Sequence, residues 1–129
     1  MTRRQRLEQA FGVYGITDPD RLESHIRGCD LTRPVISKML RPRNRLQVWV
    51  RDGGNPGKYG APLGEDPERL GIMIDGRHQQ IFEVHTVLTV VLCTAATFPA
   101  GLAEQVGGQG GGLQYILPPG WLAKVERIS

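Results

Sequence analysis

Leu46-Gln-Val-Trp-Val-Arg-Asp-Gly-Gly-Asn-Pro-Gly-Lys-Tyr-Gly-Ala-Pro62 is the stretch that decides the fold class of this chain. Residues 46–51 alternate in character, with Leu46, Val48 and Val50 on one face and Gln47, Trp49 and Arg51 on the other, which is the two-residue period of a half-buried strand. Asp52-Gly-Gly-Asn-Pro-Gly57 combines residues that tolerate or impose tight backbone turns. Lys58-Tyr-Gly-Ala61 then reads as a short returning strand. Pro62 stops it, because proline has no N–H to give to a ladder.

The same β character continues downstream. Glu65–Leu70 fits one helical turn, Ile72-Met-Ile74 is apolar, and Asp75-Gly76 signals another turn. Gln80–Val84 and Val87–Cys93 supply two further strands. Near the C-terminus, Gly107-Gly-Gln-Gly-Gly-Gly112 places five glycines in six residues before an alternating Leu113-Gln-Tyr-Ile116. Such a cluster loses backbone entropy on folding and gives nothing to a core, so it is expected where the chain must bend sharply or approach something closely. Gln114 and Tyr115 must then lie on opposite faces of the strand. Trp121–Val125 reads as a closing strand or short helix, with Trp121 as a packing anchor after Pro118-Pro119-Gly120.

Upstream the pattern is helical. Leu7, Ala10 and Phe11 recur at helical spacing in Arg3–Phe11, which Gly12 and Gly15 close. Thr17 before Asp18-Pro19-Asp20 marks a second capped start, with Leu22 and Ile26 as its apolar face and Gly28 as its end. Residues 30–44, interrupted by Pro34 and Pro42, read as an irregular connection.

A length of 129 residues with 40% hydrophobic content suits one domain with a genuine core. Seventeen glycines and nine prolines favour turns and short strands over a helical bundle. The expected architecture is α+β: a helical N-terminal region, residues 1–45, packed on a strongly bent, mainly antiparallel β core, residues 46–129.

The net charge of +3 is uneven, since residues 1–45 carry ten Lys/Arg against five Asp/Glu and the remainder six against eight. A solvated helix face accounts for such an excess more often than a nucleic-acid surface, and no interleaved aromatics provide stacking platforms. Nucleic acid is therefore not expected as a partner. Cys29 and Cys93 show no metal-ligand spacing; no metal is expected, and a disulfide is left open but not expected. The N-terminus lacks the apolar segment of an export signal and no apolar run reaches transmembrane length, so a soluble piece without its own export signal or membrane contact is expected.

Val50-Arg-Asp-Gly-Gly-Asn-Pro-Gly-Lys-Tyr-Gly-Ala-Pro62 and Gln105-Val-Gly-Gly-Gln-Gly-Gly-Gly-Leu-Gln-Tyr115 resemble the tuberculosis necrotizing toxin family, whose members are NAD-hydrolysing domains at the ends of larger bacterial polymorphic toxins. The likeness covers roughly Leu46 to Leu122, with Phe82-Glu-Val84 and Ala100–Gln105 resembling the family's approach to its glycine loop. It implies an ADP-ribosyltransferase-like β core, NAD or NADP as substrate rather than resident cofactor, a cognate immunity protein, and delivery within a larger secreted toxin to a target-cell cytoplasm. By the same resemblance Arg51 and Gln114 are the catalytic positions and Tyr59 the binding aromatic. Trp49, on the same face as Arg51, is the next candidate for the pocket wall, and Phe82, Gly110, Gly111 and Gly112 are also expected at the substrate. Two departures stand out: the family's R-x-L-P appears here as Arg69-Leu70-Gly71-Ile72, without the proline, and only His78 lies near a histidine that often precedes the family's middle strand.

The residue types suit the implied reaction. Breaking the bond between nicotinamide and ribose expels a neutral leaving group from a cationic one, so grip and orientation matter more than a strong acid. An arginine clamps pyrophosphate oxygens, an aromatic shapes the ring pocket, and an amide orients ribose hydroxyls or water. The rival readings are an ADP-ribosyltransferase on the same scaffold, for which Glu104 is the nearby carboxylate, a nucleic-acid-targeting toxin, and a non-catalytic interaction module. Singly, Arg51, Tyr59 and Gln114 suit ordinary surface or packing roles; their shared order and spacing favour a site.

Overall fold

The computed structural model describes residues 1–70, 75–97 and 110–129. Ile72-Met-Ile74, Ala100–Gln105 and Glu104, all singled out by sequence, lie outside the described residues.

Helix α1 spans Arg3–Gly12 and begins with a reciprocal capping box between Thr2 and Gln5. Helix α2 spans Pro19–Ile26, and its cap is Asp18 rather than Thr17: the Asp18 carboxylate accepts from the Arg21 amide, and Pro19 occupies the first turn, where a missing N–H costs nothing. Arg4 of α1 pairs with Glu23 of α2. The helices bury Leu7, Phe11 and Ile26.

Seven antiparallel-paired strands follow among the described residues: β1 Ile36–Leu40, β2 Arg45–Arg51, β3 Tyr59–Pro62, β4 Arg77–Val84, β5 Leu88–Thr94, β6 Leu113–Ile116 and β7 Val125–Arg127. Their order across the sheet is β1-β5-β6-β3-β2-β4-β7. Single 3-10 turns occupy Pro67–Leu70 and Trp121–Lys124. Strand β1 is a correction to the irregular connection expected over residues 30–44. It is an edge strand with only Leu40 buried, so it carries no apolar alternation for the sequence to display.

Strand β3 makes the bend. Tyr59 and Gly60 pair with Ile116 and Tyr115 of β6, whereas Ala61 and Pro62 pair with Gln47 and Leu46 of β2. Four residues thus change partner midway, and the sheet curls around them. Gly60 permits this, because a Cβ there would stand 3.2 Å from the Gln47 carbonyl and 3.3–3.4 Å from the Leu117 and Leu46 methyls.

The curl gives the sheet two unlike faces. One encloses Leu40, Leu46, Val48, Val50, Phe82, Val84, Leu88, Val90, Tyr115, Leu117 and Trp121. On the other, beneath the helices, Leu7, Phe11, Ile16, Ile26, Cys29, Val35, Cys93 and Ile116 form a second cluster. Side chains of this type contribute about 1.5–3 kcal/mol each when fully buried. Strands β5 and β6 are therefore covered on both sides, whereas neither α1 nor α2 is among the main contacts of β2. No helix among the described residues is long and apolar enough to cross a membrane.

Candidate functional site

Tyr59, Ala61, Gln47 and Gln114 share one face of the curled sheet, because Tyr59 is paired with Ile116, Gln47 with Ala61, and Gln114 lies two residues from Ile116. Ala61 has turned to β2 by the point at which Gln114 would have paired with it. The sheet therefore opens between β6 and β3 beside Gln114.

Gln114 is 7% exposed. Its Nε2 donates to the Gly28 carbonyl at 3.2 Å and lies 3.4 and 3.3 Å from the Cys29 and Cys93 sulfurs. The carbonyl requires the donor end of the amide there, which fixes the flip and leaves Oε1 as the acceptor end. Among the described residues no donor reaches Oε1.

The Tyr59 hydroxyl stands 2.8 Å from His25 Nδ1, and its ring lies 6.1 Å from Phe11 and 6.3 Å from the His25 ring between centroids. Lys58 Nζ sits 5.7 Å from the same ring, at cation–π range. Burial, followed by the two nearby cysteines, pushes the Tyr59 hydroxyl up. Burial, with Lys58 and Arg21 next, holds His25 below its ordinary value. A phenol and an imidazole at this distance share one hydrogen bond, whose direction follows the His25 tautomer. His25 had no signal in the sequence, since it occupies α2 beside an apolar face formed by Leu22 and Ile26.

Gln47, on the Trp49 and Arg51 face of β2, is 1% exposed. Its Nε2 donates to the carbonyls of Pro62 at 3.0 Å and Glu65 at 2.7 Å, and its Oε1 accepts from Gln79 Nε2. It thereby fastens the segment after β3 to the sheet. Trp49 is half-buried beside it, paired with Gln79 across the ladder. Among the described residues its indole Nε1 is the one buried side-chain nitrogen or oxygen without a partner.

Arg51 ends β2 exposed, and its cross-strand neighbour is Arg77 of β4. Like charges placed directly opposite cost roughly 0.2–1 kcal/mol. Neither guanidinium has a carboxylate partner among the described residues, and Arg77 Nη1 reaches only the Trp49 carbonyl, at 3.4 Å. Two such cations suit a bound anion. Sequence reading missed Arg77 because register, not spacing, brings it to Arg51. His78, the residue after it, points elsewhere: its Nδ1 is 2.9 Å from Asp52 and its Nε2 is 3.0 Å from Gln80.

The glycine turn is built for contact with protein. Gly110 and Gly111 have φ of 80° and 85°, and a Cβ on Gly110 would meet the Ala96 carbonyl oxygen at 1.8 Å. The Gly111 amide donates to Ala95 and the Gly112 amide to Arg69, both at 2.8 Å, while Arg69 Nη2 returns to the Gly111 carbonyl at 3.0 Å. These glycines hold the Pro67–Leu70 turn against the entry to β6. Phe82, expected beside the substrate, is 3% exposed and packs edge-on against Trp121 at 5.1 Å, on the face opposite Trp49. Tyr59 and Gln114 are thus brought to one face, with Trp49 and Arg51 on its β2 extension.

The fold is similar to that of Tse6, solved in complex with Tsi6, with a TM-score of 0.70 and 20% identity over 100% of this chain and 98% of that one. It is also similar to Rhs1-CT, solved in complex with its cognate immunity protein RhsI1, with a TM-score of 0.55 and 15% identity over 74% of this chain and 77% of that one. At these identities the likeness is one of fold. No family model and no curated protein matches the sequence.

Proposed function

We propose that this chain is the toxin domain of a larger delivered bacterial protein, that it hydrolyses NAD or NADP to nicotinamide and the corresponding ADP-ribose in the target cell, and that a cognate immunity protein restrains it. The observation that carries the reading is the placement of Gln114, its donor end locked and its acceptor end without a donor among the described residues, on the face it shares with Tyr59 where the β6–β3 pairing ends. The motif resemblance supports the activity, and the two solved relatives in fold, each captured with a partner protein, support the biological setting. The chain spans nearly the full length of one of them.

In this reading the dinucleotide reaches the Trp49–Arg51 end of β2, with its pyrophosphate toward Arg51 and Arg77, which have no carboxylate partner among the described residues. Trp49 and Tyr59 form the walls. Gln114 Oε1 accepts from a ribose hydroxyl or from the attacking water, which fixes the anomeric carbon for attack as nicotinamide leaves. Gly110, Gly111 and Gly112 act by placing β6, and the ADP-ribosyltransferase-like architecture is the bent sheet that this arrangement requires.

Induced expression in the cytoplasm of a bacterium without an immunity protein tests the setting. Total NAD should collapse before protein or RNA synthesis falls, and Gln114→Ala should spare the pool. Growth arrest with an intact NAD pool would point to another target.

A further inference from the structure

Cys29 and Cys93 are free thiols whose sulfurs stand 3.1 Å apart under the helical layer. Both backbones are already held there. Cys29 forms an isolated antiparallel bridge with Ala95, and Cys93 lies two residues earlier on β5, paired with Gln114. Disulfide sulfurs stand about 2.05 Å apart, so closure asks each sulfur to move by roughly half an ångström. Access exists from one side. Cys29 is 5% exposed and forms part of the wall of a groove of ≈ 340 Å³ whose rim carries Arg4, Arg27, Glu23 and Asp30, whereas Cys93 lies behind it at 0% exposure.

We propose that Cys29 and Cys93 are a modification site, a dithiol that closes to an intramolecular disulfide by exchange with a small charged disulfide of the oxidised-glutathione class. The mixed-charge rim suits a reactant that carries both carboxylates and ammonium groups. The two sulfurs share a proton across 3.1 Å, so the thiolate of the pair reaches Cys29, its more exposed member, which in the first step attacks one sulfur of the small disulfide; that S–S bond breaks and releases one thiol. In the second, the Cys93 thiolate attacks Cys29 Sγ and expels the other thiol. The protein loses two electrons and two protons, and the small disulfide gains both. The bond joins the turn after α2 to β5, closing a loop across 64 positions, and so fastens the helical layer to the sheet behind Gln114. This inference does not depend on NAD hydrolysis.

The test is incubation of the reduced, folded chain with oxidised glutathione, followed by intact mass, non-reducing peptide mapping and thermal denaturation. The expected product is two hydrogens lighter, yields one cross-linked peptide pair joining Cys29 to Cys93, and melts several degrees higher until reductant restores it. Cys93→Ser should stop at one glutathionyl adduct on Cys29. An unchanged mass, two stable adducts, disulfide-linked dimers, or a closed form that melts no higher than the reduced one would each overturn the proposal. If Cys93→Ser does not fold, the wild-type mass and peptide map decide.

Discussion

The Tyr59 hydroxyl and His25 Nδ1 share a hydrogen bond of 2.8 Å, joining the first residue of β3 to helix α2. This bond sets how far the Tyr59 ring stands from the opening beside Gln114, and it couples the candidate pocket to the helical layer. Tyr59→Phe removes it while keeping the ring. The expected loss is about 0.5–1.5 kcal/mol of stability, read from chemical denaturation, with substrate affinity changed less than by Tyr59→Ala.

His25 also gives the fold an acid-sensitive point. Its folded pKa is depressed, chiefly by burial, so the unfolded chain binds the proton more readily. The associated stability is present above the ordinary histidine value and is lost as pH falls through the depressed one. Denaturation midpoints of the wild type should therefore fall between neutral and mildly acidic pH. His25→Gln should flatten that segment of the profile, and an unaltered profile would remove His25 as its cause.

Gln114→Ala is expected to lower turnover about a hundredfold, the scale of a well-placed orienting group. Because Gln114 is buried and satisfies the Gly28 carbonyl, the substitution should also cost about 1–3 kcal/mol. Turnover must accordingly be measured per folded molecule, with folding followed by circular dichroism. A loss of activity no greater than the loss of folded protein would make Gln114 a structural residue.

Arg51→Ala separates binding from stability, since Arg51 is exposed at a strand end. Its melting temperature should hardly move, with effects within about 0.5 kcal/mol. Arg77→Ala should relieve the repulsion across the ladder, and both substitutions should raise KM for the dinucleotide. A truncated substrate without the pyrophosphate should be insensitive to either change, which steady-state kinetics on the two substrates checks.

The first hairpin, the two helices and the placement of Gln114 and Tyr115 on opposite faces were legible because each rests on local rules: alternation, capping and turn chemistry. Strand β1 was not, because an exposed edge strand has no buried face to write into its sequence. Gln47 shows the opposite limit. It looks like an exposed polar residue in sequence, and only the carbonyls of Pro62 and Glu65, delivered by the chain after β3, make its burial favourable. Phe82 was drawn into the site by its neighbourhood in a motif, whereas the pleat turns it toward Trp121. Arg77 and His25 came to the site through cross-strand register and helix docking, which spacing along the chain does not encode.

The hydrolase and transferase readings diverge at the acceptor. A side-chain amide such as that of Gln114 can orient water or a hydroxyl but cannot deprotonate an incoming nucleophile. With labelled NAD and target-cell lysate, label should enter small-molecule products and stay out of macromolecules. Labelling of one protein or RNA band, faster than bulk NAD loss and abolished by Gln114→Ala, would assign a transferase.

The central claim is tested most directly by incubating the purified chain with NAD alone, with no protein or nucleic-acid acceptor, and resolving the nucleotides by chromatography over hours. The account predicts equimolar nicotinamide and ADP-ribose, formed by the wild type and at about a hundredth of that rate by Gln114→Ala. Intact NAD and NADP after hours with micromolar folded protein would contradict it.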